Sequence, residues 1–256
     1  MLHSVTFPGP VSSPDLVVLH GLLGSSRNWG LAAKTLAEFA TVHTLDLPGH
    51  GQSPTMPTLD FPSMADAVLA WLAANNLSKP CLLGHSLGGK VAMCLASEQP
   101  QRIQSLVVAD IAPRDYPPHS QEILEAMAAI DLPGLQSRRD AEYALTEAIP
   151  DLGMRRFVLT NLIRDGQGFA WKADLAGLLH SLPQLSSNPM SGKPPFHGKT
   201  LFIKGSESNY IRPEDEGAIR KSFPDSTLHS VTGAGHNVHF DNIRAFTEVL
   251  REHLDV

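Results

Sequence analysis

Short apolar runs alternate with amphipathic stretches along most of this 256-residue chain. The run Asp15–His20 is β-branched and uninterrupted, which is typical of a strand that is buried on both faces of a sheet. Residues 28–39 then place apolar side chains at helical spacing, and Thr41–Asp46 repeats the strand pattern. This alternation predicts an α/β fold with a mostly parallel, doubly wound sheet and helices on both faces.

The same rhythm continues to the end of the chain. Ser63 is predicted to cap a helix that runs to Asn76. Further strands are predicted at residues 80–84, 105–109, 200–204 and 226–231, with an antiparallel edge strand at 5–7 and a closing helix at 242–254.

One long interval interrupts this pattern, between the strand that ends near Ala109 and the one that begins at Thr200. Its helical patterns lie at residues 121–130, 138–149, 154–163 and 173–182. We therefore expect a helical cap, inserted after the sixth strand, over the carboxyl edge of the sheet, where open α/β sheets bind ligands. The expected units are a core of residues 1–112 and 198–256 and a cap of residues 113–197.

Composition excludes several classes of protein. Apolar residues make up 42% of the chain and charged residues 18%, which argues against disorder. A net charge of −6 argues against a nucleic-acid partner. No segment reaches the ~20 apolar residues of a membrane helix, and no secretory signal is recognisable, so we expect a cytoplasmic protein with no membrane partner. Cys81 and Cys94 are expected to be small buried side chains, not disulfide or zinc ligands.

A serine lies between a predicted strand and a predicted helix in the sequence Gly84-His-Ser86-Leu-Gly88. Serine at such a turn is typical of a nucleophile elbow, in which neighbouring glycines leave space for a strained backbone. Ser86 is therefore the candidate nucleophile. The backbone N–H groups of Leu87 and of Leu22, in the Gly-rich turn after the first parallel strand, are candidate oxyanion donors.

Twelve histidines compete for the role of base. His236 is preferred because it lies in a Gly-rich loop after the last strand, whereas His239 is expected to begin the closing helix and to face another way. The acid is Asp110 or Glu207. The usual Gly-x-x-Asp position holds Ser208 instead, and a carboxylate at the end of the strand beside the nucleophile strand can reach behind His236, so we favour Asp110.

Several motifs match the α/β-hydrolase superfamily in order and spacing. They are His20-Gly-Leu-Leu-Gly, Asp46-Leu-Pro-Gly-His-Gly-Gln-Ser, Gly84-His-Ser-Leu-Gly-Gly, Asp110-Ile-Ala-Pro and Gly235-His-Asn-Val-His. Leu-Leu-Gly-Ser-Ser-Arg-Asn-Trp29, Gly88-Gly-Lys-Val-Ala-Met93 and Tyr116 more narrowly resemble the YbfF-like bacterial esterases and their mitochondrial relatives. This resemblance implies an α/β-hydrolase fold, short acyl esters or acyl-CoA-type thioesters as substrates, and an acid drawn from the Asp110 segment.

The expected function is that of a serine esterase with Ser86, His236 and Asp110 as a triad, and with no metal or organic cofactor. Its partner is a small-molecule acyl ester or thioester, and the chain is expected to be a monomer or homodimer. Candidate pocket walls are Leu23, Met127, Phe157, Trp171, Leu178 and Tyr210. A C–C bond hydrolase, a perhydrolase and a non-catalytic ligand receptor are alternatives on the same fold.

Overall fold

The computed structural model of this chain describes residues 1–118, 120–166 and 168–256. Its strands are β1 Ser4–Phe7, β2 Asp15–Leu19, β3 Thr41–Leu45, β4 Cys81–His85, β5 Ser105–Ala109, β6 Leu162–Asp165, β7 Gly168–Trp171, β8 Thr200–Gly205 and β9 Ser226–Val231. Its α-helices are α1 Gly30–Leu36, α2 Phe61–Ala74, α3 Leu87–Glu98, α4 Gln121–Ala128, α5 Arg138–Ala144, α6 Leu152–Leu159, α7 Leu175–Ser186, α8 Glu216–Ser222, α9 Val238–Asp241 and α10 Ile243–Leu254.

The main sheet has seven strands in the order β1-β3-β2-β4-β5-β8-β9. β1 runs antiparallel to β3, and the other neighbouring pairs are parallel. The predicted parallel sheet with an antiparallel edge strand is confirmed. The register places His85 beside Ala109, and Ala109 beside Ile203. The carboxyl ends of β4, β5 and β8 therefore lie side by side, and residues that follow these strands can meet.

Alternate residues of the central strands face opposite sides of the sheet. Val17 and Leu19 of β2 belong to a core that includes residues of α2, α3 and the cap segment, residues 113–197. Leu16 and Val18 belong to a second core, which includes residues of α1 and α10. All four side chains are fully buried. Because burial of one such side chain contributes about 1.5–3 kcal/mol, both faces of the sheet must be covered by helices.

Helix α2 begins earlier than the sequence predicts. Asp60, and not Ser63, is the N-cap, since its carboxylate accepts the N–H of Ser63 at 2.8 Å. Pro62 lies in the first turn and accounts for the difference. Proline lacks a backbone N–H group. It is tolerated in the first turn of a helix, because an N–H group there would have no acceptor within the helix.

The cap segment contains two strands as well as helices. Helices α4, α5, α6 and α7 lie in it, but β6 and β7 form an antiparallel hairpin that the sequence analysis missed. The helix predicted at residues 154–163 ends at Leu159. Asn161 accounts for this ending, because its side-chain amide donates to the carbonyl oxygen of Leu23 in the core at 2.8 Å. A tertiary contact has overridden a local helical pattern.

The cap segment follows the fifth strand of the chain and not the sixth, because the single strand β1 precedes β2. Its apolar side chains join the first core. Met127, Leu145 and Leu178 are fully buried together with Val17 and Leu19 of the sheet. The cap segment therefore packs onto the main sheet through a shared apolar core.

Candidate active site

Ser86 forms a strained turn between β4 and α3, at the carboxyl edge of the sheet. Its φ is 51° and its ψ is −116°, a conformation that a residue with a side chain rarely adopts. A Cβ at Gly84 would lie 2.2 Å from the carbonyl oxygen of Gly88, and one at Gly88 would lie 2.4 Å from that of Leu19. Both glycines of the Gly-x-Ser-x-Gly sequence are therefore required for this turn to close.

The carboxylate of Asp110 meets the ring of His236. Asp110 follows β5 and His236 follows β9, and Oδ2 of Asp110 lies 2.8 Å from Nδ1 of His236. The side chain of Asp110 is fully buried, while that of His236 is 27% exposed. Since a carboxylate can only accept, Nδ1 carries the hydrogen, and Nε2 of the neutral ring is left as a proton acceptor.

Two further donors hold the Asp110 carboxylate. The N–H of Gly205 donates to Oδ1 at 3.1 Å, and the hydroxyl of Ser208 donates to Oδ2. Ser208 stands where the commoner pattern has its acid. Sequence reasoning treated this serine only as a missing carboxylate and overlooked its contact with Asp110. The Gly-x-x-Ser spacing after β8 is the signal that could have found it.

Glu207, the alternative acid, is exposed. Its backbone N–H donates to the carbonyl oxygen of Ala234 at 2.9 Å. Within the described ranges, the carboxylate that contacts the His236 ring is that of Asp110. The geometry therefore favours Asp110 over Glu207 as the partner of His236.

Two aromatic rings fix the position of His236. The ring of Tyr210 stacks on it with centroids 3.7 Å apart and planes at 16°. The ring of His85 lies 4.7 Å away, and its Nε2 donates to the backbone carbonyl oxygen of His236 at 2.9 Å. Burial first, and then electrostatic interaction with the His236 and His239 rings, hold the pKa of His85 well below its usual value. His85 is therefore a neutral donor that orients the His236 loop.

Two other polar residues of the motifs have structural roles. Nε2 of His20 accepts the N–H of Leu47 at 3.0 Å, so its Nδ1 carries a hydrogen and donates to the carbonyl oxygen of Gly21 at 2.7 Å. Asp46 accepts the N–H groups of Ser26 and Gln52 at 2.6 and 2.7 Å. Burial acts to raise the pKa of Asp46, but these hydrogen bonds outweigh it and the pKa is lowered. Both side chains hold turns at the edge of the sheet.

Ser86 lines a small cavity of about 80 Å³. Its described lining residues are Leu22, Ser86, Leu87, Lys90, Ile111, Tyr116, Pro117, Pro118, Ser120, Leu182, Leu185, Ser186 and Tyr210. The walls come from the Ser86 turn, the turn after β2 and the cap segment. Leu22 and Leu87, the predicted oxyanion residues, thus border the same cavity as the candidate nucleophile.

Comparison with known proteins agrees with this architecture. The group described as the Alpha/beta hydrolase family matches residues 16–249 of the chain. The chain belongs to this family. It is an α/β-hydrolase enzyme, as its sequence motifs predict.

Relatives of this α/β hydrolase include two curated proteins and one solved structure. The sn-1-specific diacylglycerol lipase ABHD11 of Mus musculus is 34% identical over 254 residues, covering 96% of this chain and 82% of the relative. Esterase YbfF of Escherichia coli (strain K12) is 31% identical over 245 residues, covering 95% and 94%. A structure described as a marine microorganism esterase has a TM-score of 0.94 at 31% identity, covering 98% of both chains.

One of the predicted pocket walls of this α/β hydrolase lines the cavity at Ser86, and the others lie in or against the core. Tyr210 is among its described lining residues, and the other predicted side chains are not. Leu23, Met127 and Leu178 are buried in the core shared by sheet and cap segment, and Phe157 and Trp171 are half-buried against that core. The reason is packing, because apolar cap residues first cover the sheet edge and one another.

Two features are not found in the part of the α/β hydrolase that the structure describes. No group of three or more His, Cys, Asp or Glu side chains could hold a metal ion. No helix there has the length and apolar character needed to cross a bilayer.

Proposed function

We propose that this α/β hydrolase is a serine carboxylic-ester hydrolase that acts on short- to medium-chain acyl esters. The observation that carries the proposal is the hydrogen bond between the buried carboxylate of Asp110 and the ring of His236, next to a strand end where Ser86 is held at positive φ. Such a set supplies a nucleophile, a base and a group that orients the base. Relatives described as an esterase and a diacylglycerol lipase support the same reaction class.

In the proposed reaction, Nε2 of His236 takes the hydroxyl proton of Ser86 while Oγ attacks the acyl carbonyl carbon. Asp110 holds the imidazole with its hydrogen on Nδ1 and stabilises the positive charge of the protonated ring. The bond to the alcohol then breaks, and the alcohol leaves with the proton from His236. Water attacks the acyl-Ser86 ester by the same route, which releases the carboxylic acid and restores the serine.

The backbone N–H groups of Leu22 and Leu87 are the proposed donors to the oxyanion that forms in both steps. Because these donors are backbone groups, the leucine side chains matter only as cavity walls. The same steps cleave an acyl thioester, with a thiol as the leaving group. We therefore include acyl thioesters such as acyl-CoA as a second substrate class, and the reaction requires no metal or organic cofactor.

The cavity at Ser86 supports a short acyl group. Its volume of about 80 Å³ lies far below the ~300 Å³ at the lower end of pockets for drug-sized ligands. Each buried methylene adds about 0.8 kcal/mol of binding until the cavity is full. We expect kcat/KM for p-nitrophenyl esters to peak between about C2 and C8 and to fall by C12. A steady rise to C16 with activation at an oil–water interface would contradict this.

Covalent labelling tests the proposal directly. A fluorophosphonate should add to Ser86 and to no other serine, as read from the mass of the labelled peptide. Ser86→Ala should not be labelled and should lose ~10⁴-fold in rate while keeping the circular dichroism spectrum of the wild type. Residual turnover within about tenfold of wild type would exclude Ser86 as the nucleophile. Ligand binding without turnover of any activated ester would instead favour a non-catalytic receptor.

The division into core and cap, the cytoplasmic location, and the monomeric or homodimeric state stay predictions of the sequence. The first can be examined by limited proteolysis and the last by light scattering.

A further inference from the structure

Lys90 is a buried charged residue that the proposed reaction does not use. It lies on α3, one turn after Ser86, and is 3% exposed. Its Nζ donates to three successive carbonyl oxygens, those of Leu185 at 3.3 Å, Ser186 at 2.9 Å and Ser187 at 2.7 Å. These carbonyls lie at the carboxyl end of α7, where the last carbonyl groups of a helix have no N–H partner within the helix. All three donors of the ammonium group are therefore occupied.

Simple packing does not explain a lysine at this position. An apolar side chain of similar length would fill the same space without the free-energy cost of burying a charge. That cost is visible in the pKa of Lys90, which burial lowers to about 7. What the ammonium group adds is the ability to bind three carbonyls at the negative end of a helix. Lys90 thus ties the Ser86 helix to α7 of the cap segment.

A second wall of the cavity contacts the same side chain. The ring of Tyr116 lies 4.8 Å from Nζ of Lys90. The hydroxyl of Tyr116 donates to the carbonyl oxygen of Tyr210 at 2.7 Å and accepts the N–H of Ala112 at 2.8 Å. Tyr210 in turn stacks on His236. Lys90 therefore contacts two parts of the cap segment that border the cavity, the end of α7 and Tyr116. Tyr116 is connected through Tyr210 to His236, the proposed base.

We propose that Lys90 is a positioning residue that holds the end of α7 and Tyr116 against the cavity and so limits the length of the acyl group at Ser86. This inference rests on the proposed esterase function. Lys90, Tyr116 and Leu185 all line the cavity. Because its donors are occupied, Lys90 acts through these walls and makes no hydrogen bond to the ester. Its loss should deepen the cavity and leave the reacting groups in place.

The test compares Lys90→Met with wild type on p-nitrophenyl esters from C2 to C8. We expect the ratio of kcat/KM for the C8 ester to that for the C2 ester to rise at least about fourfold, the gain from one more buried methylene. The change should come mainly from a lower KM for the longer esters. Lys193→Met is the matched control. Lys193 pairs with Glu98 at the other end of α3 and is not among the described lining residues, so its ratio should stay at the wild-type value.

Lys90→Gln covers the case in which the Met variant folds poorly. Its side-chain amide keeps two donors, so a smaller shift in the same direction is expected. The ratio for two esters on one preparation does not depend on the fraction of folded enzyme. An unchanged ratio in either variant, with wild type active, overturns the role of Lys90. A wild-type chain that hydrolyses no ester overturns the proposed function and this inference with it.

Discussion

The buried carboxylate of Asp110 receives hydrogen bonds from three places in the chain, namely Gly205, Ser208 and His236. A buried carboxylate is tolerated only when such donors satisfy its oxygens. Gly205 and Ser208 come from the end of β8 and the loop after it, while His236 comes from the loop after β9. The orientation of the proposed base therefore depends on several strand ends at once, and a change at Asp110 must reach the reaction through the imidazole.

Replacement of this carboxylate by an amide should lower kcat and leave binding nearly unchanged. In Asp110→Asn the neutral side chain can donate to Nδ1 and so favours the wrong tautomer of His236, at an expected cost of ~10³–10⁴-fold in kcat. Steady-state kinetics on a p-nitrophenyl ester measure the effect. Glu207→Gln is the matched control and should cost less than about tenfold. If the control loses more activity than Asp110→Asn, the acid lies after β8.

At the level of elements, the turn from β4 into α3 depends on close backbone contact. The helix is buried from Leu87 to Ser97, so it cannot move away from the sheet to make room. A side chain at Gly84 would strike the backbone of Gly88, which is more costly to displace than the end of a flexible side chain. The same contact that exposes the serine thus makes the turn intolerant of change.

Substitution at this turn should destabilise the protein. Gly84→Ala places a Cβ 2.2 Å from a carbonyl oxygen and should cost at least about 1–3 kcal/mol of unfolding free energy. Gly217→Ala is the matched control, since a Cβ in that exposed helical position of α8 meets nothing within 4 Å. It should be neutral or stabilising by up to about 1 kcal/mol. Equal midpoints for both variants in urea unfolding would show that the close approach carries no cost.

On the scale of the whole molecule, several buried histidines make stability depend on pH. Burial is the largest cause in each case, and it lowers the pKa of His50 and His239 to about 3 and that of His253 to about 4. In the unfolded chain the pKa of these groups is 6.5. Below that pH the unfolded state binds more protons than the folded state. Stability is therefore lost as the pH falls below about 6.5 and is retained above it.

A single replacement should remove part of this dependence. His239 stacks on Trp29 with centroids 3.9 Å apart, so His239→Phe keeps the stacking and removes the titrating group. The unfolding free energy of this variant, measured in urea, should fall less steeply than that of wild type between pH 6 and 4. The two slopes should differ by up to about 1.4 kcal/mol per pH unit. His229→Phe, at an exposed position on β9, should keep the wild-type slope. Equal slopes of unfolding free energy against pH for His239→Phe and wild type would contradict the lowered pKa of His239.

The sequence by itself determined the features that depend on neighbours in the chain. Apolar runs such as Leu16–Leu19 identify buried strands, and the glycines around Ser86 identify a strained turn after one of them. Because parallel strands end at a common edge, their order also brings Asp110 and His236 into contact. The fold, the family and the contact between these two side chains could be read in this way.

Only the tertiary structure decided what depends on partners far away in the chain. The helix predicted at residues 154–163 ends at Leu159 because Asn161 contacts the core, and Met127 is buried in the core that the sheet and the cap segment share. Lys90 reaches the end of α7, 95 residues along the chain, through contacts that no local pattern encodes. Each outcome results from competition for burial and for hydrogen-bond partners, which is resolved only when the whole chain is packed.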